Sequence, residues 1–324
     1  MQENSMLDRR SILLASAALL LAAAPATAED SADQPAAPAK IKAVASFSIL
    51  GDFVKTVGGD RLDVTTLVGP NGDAHVYAPS PADARTLAGA DLVFVNGLGF
   101  EGWIDRLVKA SGTKAALVVA TNGVSPLKSE DGDHDHDHDH DRAGHHHGAF
   151  DPHAWQSVGN AKIYVANIRD ALIKADPAGR DAYEANAKAY LDRLDALEAE
   201  VKAAIARIPA NRRRIITSHD AFQYFEKAYG IAFVAPTGVS TDSEASAKAV
   251  SRIIAQIKKQ KIPAVFLENV SDPRLVKRIA DETGAKIGGT LYSDALTATD
   301  GPAPTYIDMM RHNMEALTGA LATS

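Results

Sequence analysis

The chain has 324 residues, 46% of them hydrophobic and 23% charged, so it can bury a sizeable core and is long enough for two lobes. A net charge of −7 and the lack of any basic stripe exclude a nucleic-acid-binding surface; Arg212-Arg213-Arg214 is short and runs straight into an apolar strand. There is no cysteine, which rules out a disulfide framework, a thiolate metal site and a lipid-modified N-terminal cysteine, and leaves His, Asp and Glu as the only strong metal donors.

In chain order, the first element is an export signal. In "MLDRRSILLASAALLLAAAPATAED", Arg9 and Arg10 precede an apolar run and Ala26-Thr27-Ala28 gives a small-x-small cleavage site, so residues 1–28 are expected to be removed after Ala28. The apolar run is short for a membrane anchor, and the paired arginines leave both the general secretory and the twin-arginine routes open. A Pro/Ala linker fills residues 29–40, and the mature product is expected free in a periplasm.

Strands are predicted at "IKAVASF", "DVTTLV", "DLVFVNG" and "KAALVVA", with helical spacing in "SPADARTLAGA" and "EGWIDRLVKASG". The same grammar returns in "RRIITSH", "IAFVAP", "PAVFLEN" and "AKIGGTLYS", with helices in "AFQYFEKAYG", "EASAKAVSRIIAQIKKQK", "DPRLVKRIADETG" and "YIDMMRHNMEALTGAL". The fold class is α/β: two lobes, each a roughly four-stranded parallel sheet flanked by helices, at residues 41–177 and 210–324. Between them residues 178–209 are rich in Ala, Leu, Glu and Lys, and Tyr190, Leu194, Leu197, Val201 and Ile205 form one apolar stripe. Roughly 28 helical residues span about 40 Å, a stiff strut across both lobes.

Ligands of open α/β sheets bind beyond the carboxyl ends of the strands. Four polar residues fall there: His75 in "VGPNGDAHVYAPSPAD", His153 in "FDPHAWQ", His219 in "TSHDAF" and Asp294 in "YSDAL". They are far too dispersed for a compact zinc module, and they meet only if the lobes face each other across a cleft. Three imidazoles and a carboxylate would make a closed tetrahedral site. Taken singly, each could equally be a capping or core residue. Glu268 at the end of "VFLE" is placed either to orient a ligand histidine or, with Asn269, to make a capping or interlobe contact. Asp220 reads as a helix N-cap, Asp242 and Glu244 as a capping region, His312 as a surface residue, and Tyr77, Trp103 and Trp155 as packing residues.

The segments "GPNGDAHVYAPSPAD", "NGLGFEGW", "DPHAWQ", "TSHDAFQYF" and "YSDAL", in this order and with the joining helix between them, resemble the zinc/manganese solute-binding proteins of ABC importers, cluster A-I or family 9, over nearly the whole mature chain. The resemblance implies two lobes bridged by a rigid helix, a metal buried in the cleft, and His75, His153, His219 and Asp294 as its ligands. Manganese-type members carry glutamate at the third position; His219 stands there in this chain, and imidazole suits Zn2+. The implied function is a periplasmic zinc-binding protein that delivers Zn2+ to an inner-membrane ABC permease. A manganese or iron carrier of the same family is the alternative. A secreted zinc hydrolase fits worse, since four protein donors leave no open position for water and neither H-E-x-x-H nor G-x-S-x-G occurs. No enzyme activity and a monomeric state are expected.

The tract within residues 128–148 holds His134, His136, His138, His140, His145, His146 and His147 among Asp and Gly. With no apolar residue from Asp131 to Asp141, it is expected to be a mobile surface loop and a weaker, auxiliary metal site. Metal capture near the cleft, sensing of zinc excess, docking of a periplasmic zinc metallochaperone and a solvated insertion without function are all compatible with its composition.

Overall fold

The structure is a computed structural model that describes residues 40–129, 150–242 and 244–322. The export signal, nearly all of the linker and the seven histidines of the tract lie outside the described residues.

Among the described residues eight strands form two four-stranded sheets, every pairing within them parallel. In the first, β1 (Ile41–Phe47), β2 (Leu62–Val68), β3 (Leu92–Val95) and β4 (Ala116–Val119) lie in the order β2-β1-β3-β4, with Ala43 opposite both Val64 and Leu92. In the second, β5 (Arg214–Ile216), β6 (Ala232–Val234), β7 (Ala264–Glu268) and β8 (Lys286–Leu291) lie in the order β6-β5-β7-β8. Repetition of one order in both halves sends the loops after β2, β5 and β8 out at strand carboxyl ends, where ligands of such sheets collect.

The helices are α1 (Ser48–Gly58), α2 (Pro81–Ala88), α3 (Ile104–Ser111), α4 (Val158–Ala175), α5 (Arg180–Ala206), α6 (Gln223–Tyr229), α7 (Ala247–Gln260), α8 (Pro273–Thr283) and α9 (Tyr306–Leu321). The sequence reading named neither α1 nor α4. α1 follows β1 without a break and has no side-chain cap to announce it. α4 did carry a signal, since the Ser157 hydroxyl accepts the Asn160 N–H and Val158, Ala161, Val165, Ile168 and Leu172 are buried at helical spacing. Two caps also move. Asp220 does not cap α6, which starts after Phe222, but accepts a hydrogen bond from Gln223; the cap before α7 is Ser246 rather than Asp242 or Glu244.

The long helix α5 joins the two lobes. All five residues of its predicted stripe are buried. Near its start Asn186 donates to the Val57 carbonyl of α1 (3.1 Å); further along Glu198 accepts from Tyr229 of α6 (2.7 Å) and Glu200 pairs with Arg311 of α9 (2.8 Å). Twenty-seven residues span about 40 Å. One element thus holds both sheets in a fixed relation.

Asp52 ties the elements of this seam together. Its carboxylate accepts the Tyr306 N–H of α9 (2.9 Å) and the Tyr190 hydroxyl of α5 (3.5 Å). Burial pushes its pKa up from 3.8 to about 6 against these bonds. A raised carboxyl favours the folded state fully below its unfolded value, and this contribution is lost as pH rises through the folded one. Asp52→Asn, which cannot ionise, is therefore expected to stabilise the protein by about 1–3 kcal/mol above pH 7 and by close to nothing near pH 4. Melts of both proteins at the two pH values check this; a gain that does not change with pH contradicts it.

Candidate metal centre

The four predicted residues converge. His75 leaves the loop after β2, which is pinned at several points. Asn71, in the left-handed region at φ 56°, donates its N–H to the Leu296 carbonyl of the other lobe (2.8 Å). Asp73 accepts the His75 N–H (2.9 Å) through one oxygen and the Thr241 hydroxyl (2.6 Å) through the other. The Trp103 indole N–H binds the Ala74 carbonyl (2.8 Å), and the Ser80/Asp83 capping box opens α2 beyond it.

His153 follows Asp151-Pro152 and precedes a short 3-10 turn, Ala154–Gln156. The buried Asn96 side chain donates to the Pro152 carbonyl (2.9 Å) and accepts from the Tyr164 hydroxyl (2.5 Å), which fixes this segment to the first sheet. His219 stands just beyond β5. Asp294 stands just beyond β8, where the Trp155 indole and the Gln156 amide both donate to the neighbouring Ser293 carbonyl (2.9 and 2.7 Å).

His75 Nε2 lies 3.2 Å from His153 Nε2 and 3.3 Å from Asp294 Oδ2; His219 Nε2 lies 3.1 Å from Asp294 Oδ2, and His153 Nε2 lies 3.6 Å from Asp294 Oδ1. A tetrahedral zinc site with bonds of about 2.0–2.1 Å has donor–donor edges of about 3.3 Å. Four of the donor contacts lie near this edge, and all four side chains offer a donor atom within 4.8 Å of the others. Three of the side chains are at most 1% exposed and His75 is 5% exposed. Asp294 Oδ1 is buried with no hydrogen-bond partner, as a carboxylate awaiting a cation would be. Among the described residues no other group of three or more His, Asp or Glu side chains could hold a metal.

Two further carboxylates lie against the imidazoles. Asp151 Oδ1 lies 2.7 Å from His153 Nδ1 and also accepts the His153 N–H (2.8 Å). Glu268 Oε2 lies 2.7 Å from His219 Nδ1, while its Oε1 accepts the N–H groups of Ser218 (2.6 Å) and His219 (3.0 Å). His153 Nδ1 is hydrogen-bonded to Asp151, His219 Nδ1 lies within ion-pair distance of Glu268, and each ring presents Nε2 to the centre. Of the two readings of Glu268, the histidine contact is the one observed, and it is Asn269 that reaches across to Asn71 (3.3 Å). Sequence reasoning did not single out Asp151, although a carboxylate two residues before a histidine can fold back on its ring.

Burial depresses the imidazole of His75. At His153 burial acts in the same direction, but the Asp294 and Asp151 charges outweigh it and hold the pKa at about 9; at His219 Glu268 and Asp294 do the same, lifting it well above its ordinary value. Burial would raise Asp294, yet His219 and His153 hold it well below the carboxylate range. The centre is a buried cluster in which three carboxylates, Asp151, Glu268 and Asp294, face the imidazoles. A divalent cation held there would compete with the imidazole protons.

Other expectations change. His312 is half-buried, with Nε2 3.1 Å from the Thr290 carbonyl and its ring edge-on to Tyr292 at 4.9 Å. Trp103 and Trp155 do pack in the core, and each also spends its indole N–H on a backbone carbonyl of a site loop.

Two parallel α/β lobes on a common long helix, with a buried cluster of donors where their loops meet, define a metal-binding substrate-binding protein of ABC importers. Residues 43–320 match the family described as zinc-uptake complex component A, periplasmic (ZnuA), and the chain belongs to that family. It is 36% identical to the manganese-binding lipoprotein MntA of Halalkalibacterium halodurans, over 87% of this chain and 89% of that one. It is 34% identical to the iron-binding protein YfeA of Yersinia pestis, over 86% and 85%. Among solved structures, the periplasmic zinc-binding protein TroA of Treponema pallidum superposes with a TM-score of 0.78 at 30% identity, over 88% of this chain and all of that one. Proteins of this kind work with an inner-membrane permease.

Proposed function

We propose that this protein is a periplasmic zinc carrier that holds one Zn2+ through His75, His153, His219 and Asp294 and delivers it to its ABC permease. The observation that carries this reading is the set of three imidazole nitrogens and one carboxylate whose donor atoms lie within 4.8 Å of one another, four of the contacts being 3.1–3.6 Å, near a tetrahedral edge. Borderline nitrogen donors suit zinc better than manganese, and three of them with the Asp294 carboxylate leave no position for a catalytic water, so the protein acts as a carrier and not as an enzyme. Asp151 and Glu268 orient the rings. Residues 1–28 direct export, residues 41–177 and 210–324 form the lobes, and the histidines between 134 and 147 collect metal weakly and raise its local concentration. A manganese or iron carrier is the second reading, favoured by what MntA and YfeA are named for.

Zinc outranks manganese at almost any nitrogen and oxygen site, so the informative quantity is whether manganese is held tightly at all. Titration of the mature protein against a strong chelator is expected to give one tight zinc and only weak manganese binding. The same titration after deletion of residues 131–148 is expected to keep the tight zinc and lose the weak ones, because His153 lies beyond the cut. Tight manganese binding favours the second reading, and loss of the tight zinc with the deletion means the primary site lies in the tract.

A further inference from the structure

Manganese and iron commonly complete such a donor set with water, whereas zinc is satisfied by four donors. Whatever keeps water off the ion therefore discriminates among these metals, since the apolar shell around a metal controls its access to solvent. His75 is the most exposed of the four side chains, and a cleft between the lobes reaches it.

Phe100 stands in that cleft wall while being itself only 1% exposed. Its ring lies edge-on to His75 with centroids 4.7 Å apart and 6.0 Å from His153, and it is backed by Phe47 at 4.8 Å and Trp155 at 4.9 Å. The turn that presents it is unusual: Gly97, Leu98 and Gly99 all have positive φ, at 87°, 56° and 82°. For leucine that conformation costs roughly 1 kcal/mol or more, so the surroundings must impose it. The buried Glu101 supplies the anchor, accepting the Ser46 hydroxyl (2.6 Å) and the N–H groups of Asn96 (2.6 Å) and Gly97 (3.2 Å).

We propose that Phe100 is a specificity-determining residue: held in place by Glu101, it bars a water ligand on the cleft side of His75 and His153 and so keeps the ion four-coordinate, favouring zinc over manganese and iron. The inference rests on the four-ligand reading above. Cobalt(II) tests both, because its visible absorption is intense with four donors and weak with six. The unmodified protein is expected to give the intense spectrum. Phe100→Ala is expected to weaken it towards higher coordination and to lower the ratio of zinc to manganese affinity by about tenfold; Phe100→Leu, which keeps apolar bulk, is expected to do the same in smaller measure. Intense spectra and unchanged ratios in both variants overturn the role of Phe100. A weak spectrum from the unmodified protein overturns the four-donor reading itself, and the inference with it. If Phe100→Ala does not fold, Phe100→Leu decides on the same two measurements.

Discussion

His219→Ala is expected to lower zinc affinity by more than about a hundredfold, beyond the loss usual for a residue that merely orients a ligand. The substitution removes one of three imidazoles and strips both Glu268 and Asp294 of the partner that lies 2.7 and 3.1 Å away. Two buried carboxylates left without that partner also destabilise the metal-free protein, so affinity must be read on material shown to be folded. Chelator competition on the two proteins makes the comparison; equal affinities would remove His219 from the site.

Metal binding is also expected to show as stability. A ligand that binds only the folded state adds about 4 kcal/mol at a thousandfold excess over its Kd. For a chain of this size that is about 10 °C in Tm. Zinc should produce this shift, a chelator should reverse it, and manganese at the same concentration should move Tm far less. Equal shifts from both metals would contradict the selectivity attributed to His219 and favour the manganese reading.

Much of the architecture was legible because the central parallel strands, such as β1, β3 and β7, are buried on both faces and read as apolar runs, and the helices between them keep their own period. All eight strands fall where "IKAVASF" through "AKIGGTLYS" put them, give or take a few residues. α1 and α4 were not named, the first because strand and helix abut without a cap. The four candidate ligands were visible as strand-end residues only when taken together, since the sequence says where a loop begins and not what faces it. The same limit hid the pairing of Asp151 with His153 and the seat of Phe100 against two imidazoles, which depend on contacts between segments far apart in the chain. Asp220 and His312 were misread for that reason too: local sequence offered a cap and an exposed helix face, and tertiary packing assigned both side chains elsewhere.

X-ray absorption at the zinc edge of the mature protein carrying one equivalent of metal tests the central claim most directly. The proposed centre requires a single shell of three imidazole nitrogens and one carboxylate oxygen at about 2.0–2.2 Å, with the outer-shell scattering of three rings. That signal should be unchanged by deletion of residues 131–148 and reduced to two rings in His219→Ala. A six-coordinate shell dominated by oxygen, or an imidazole count that survives the loss of His219, would contradict it.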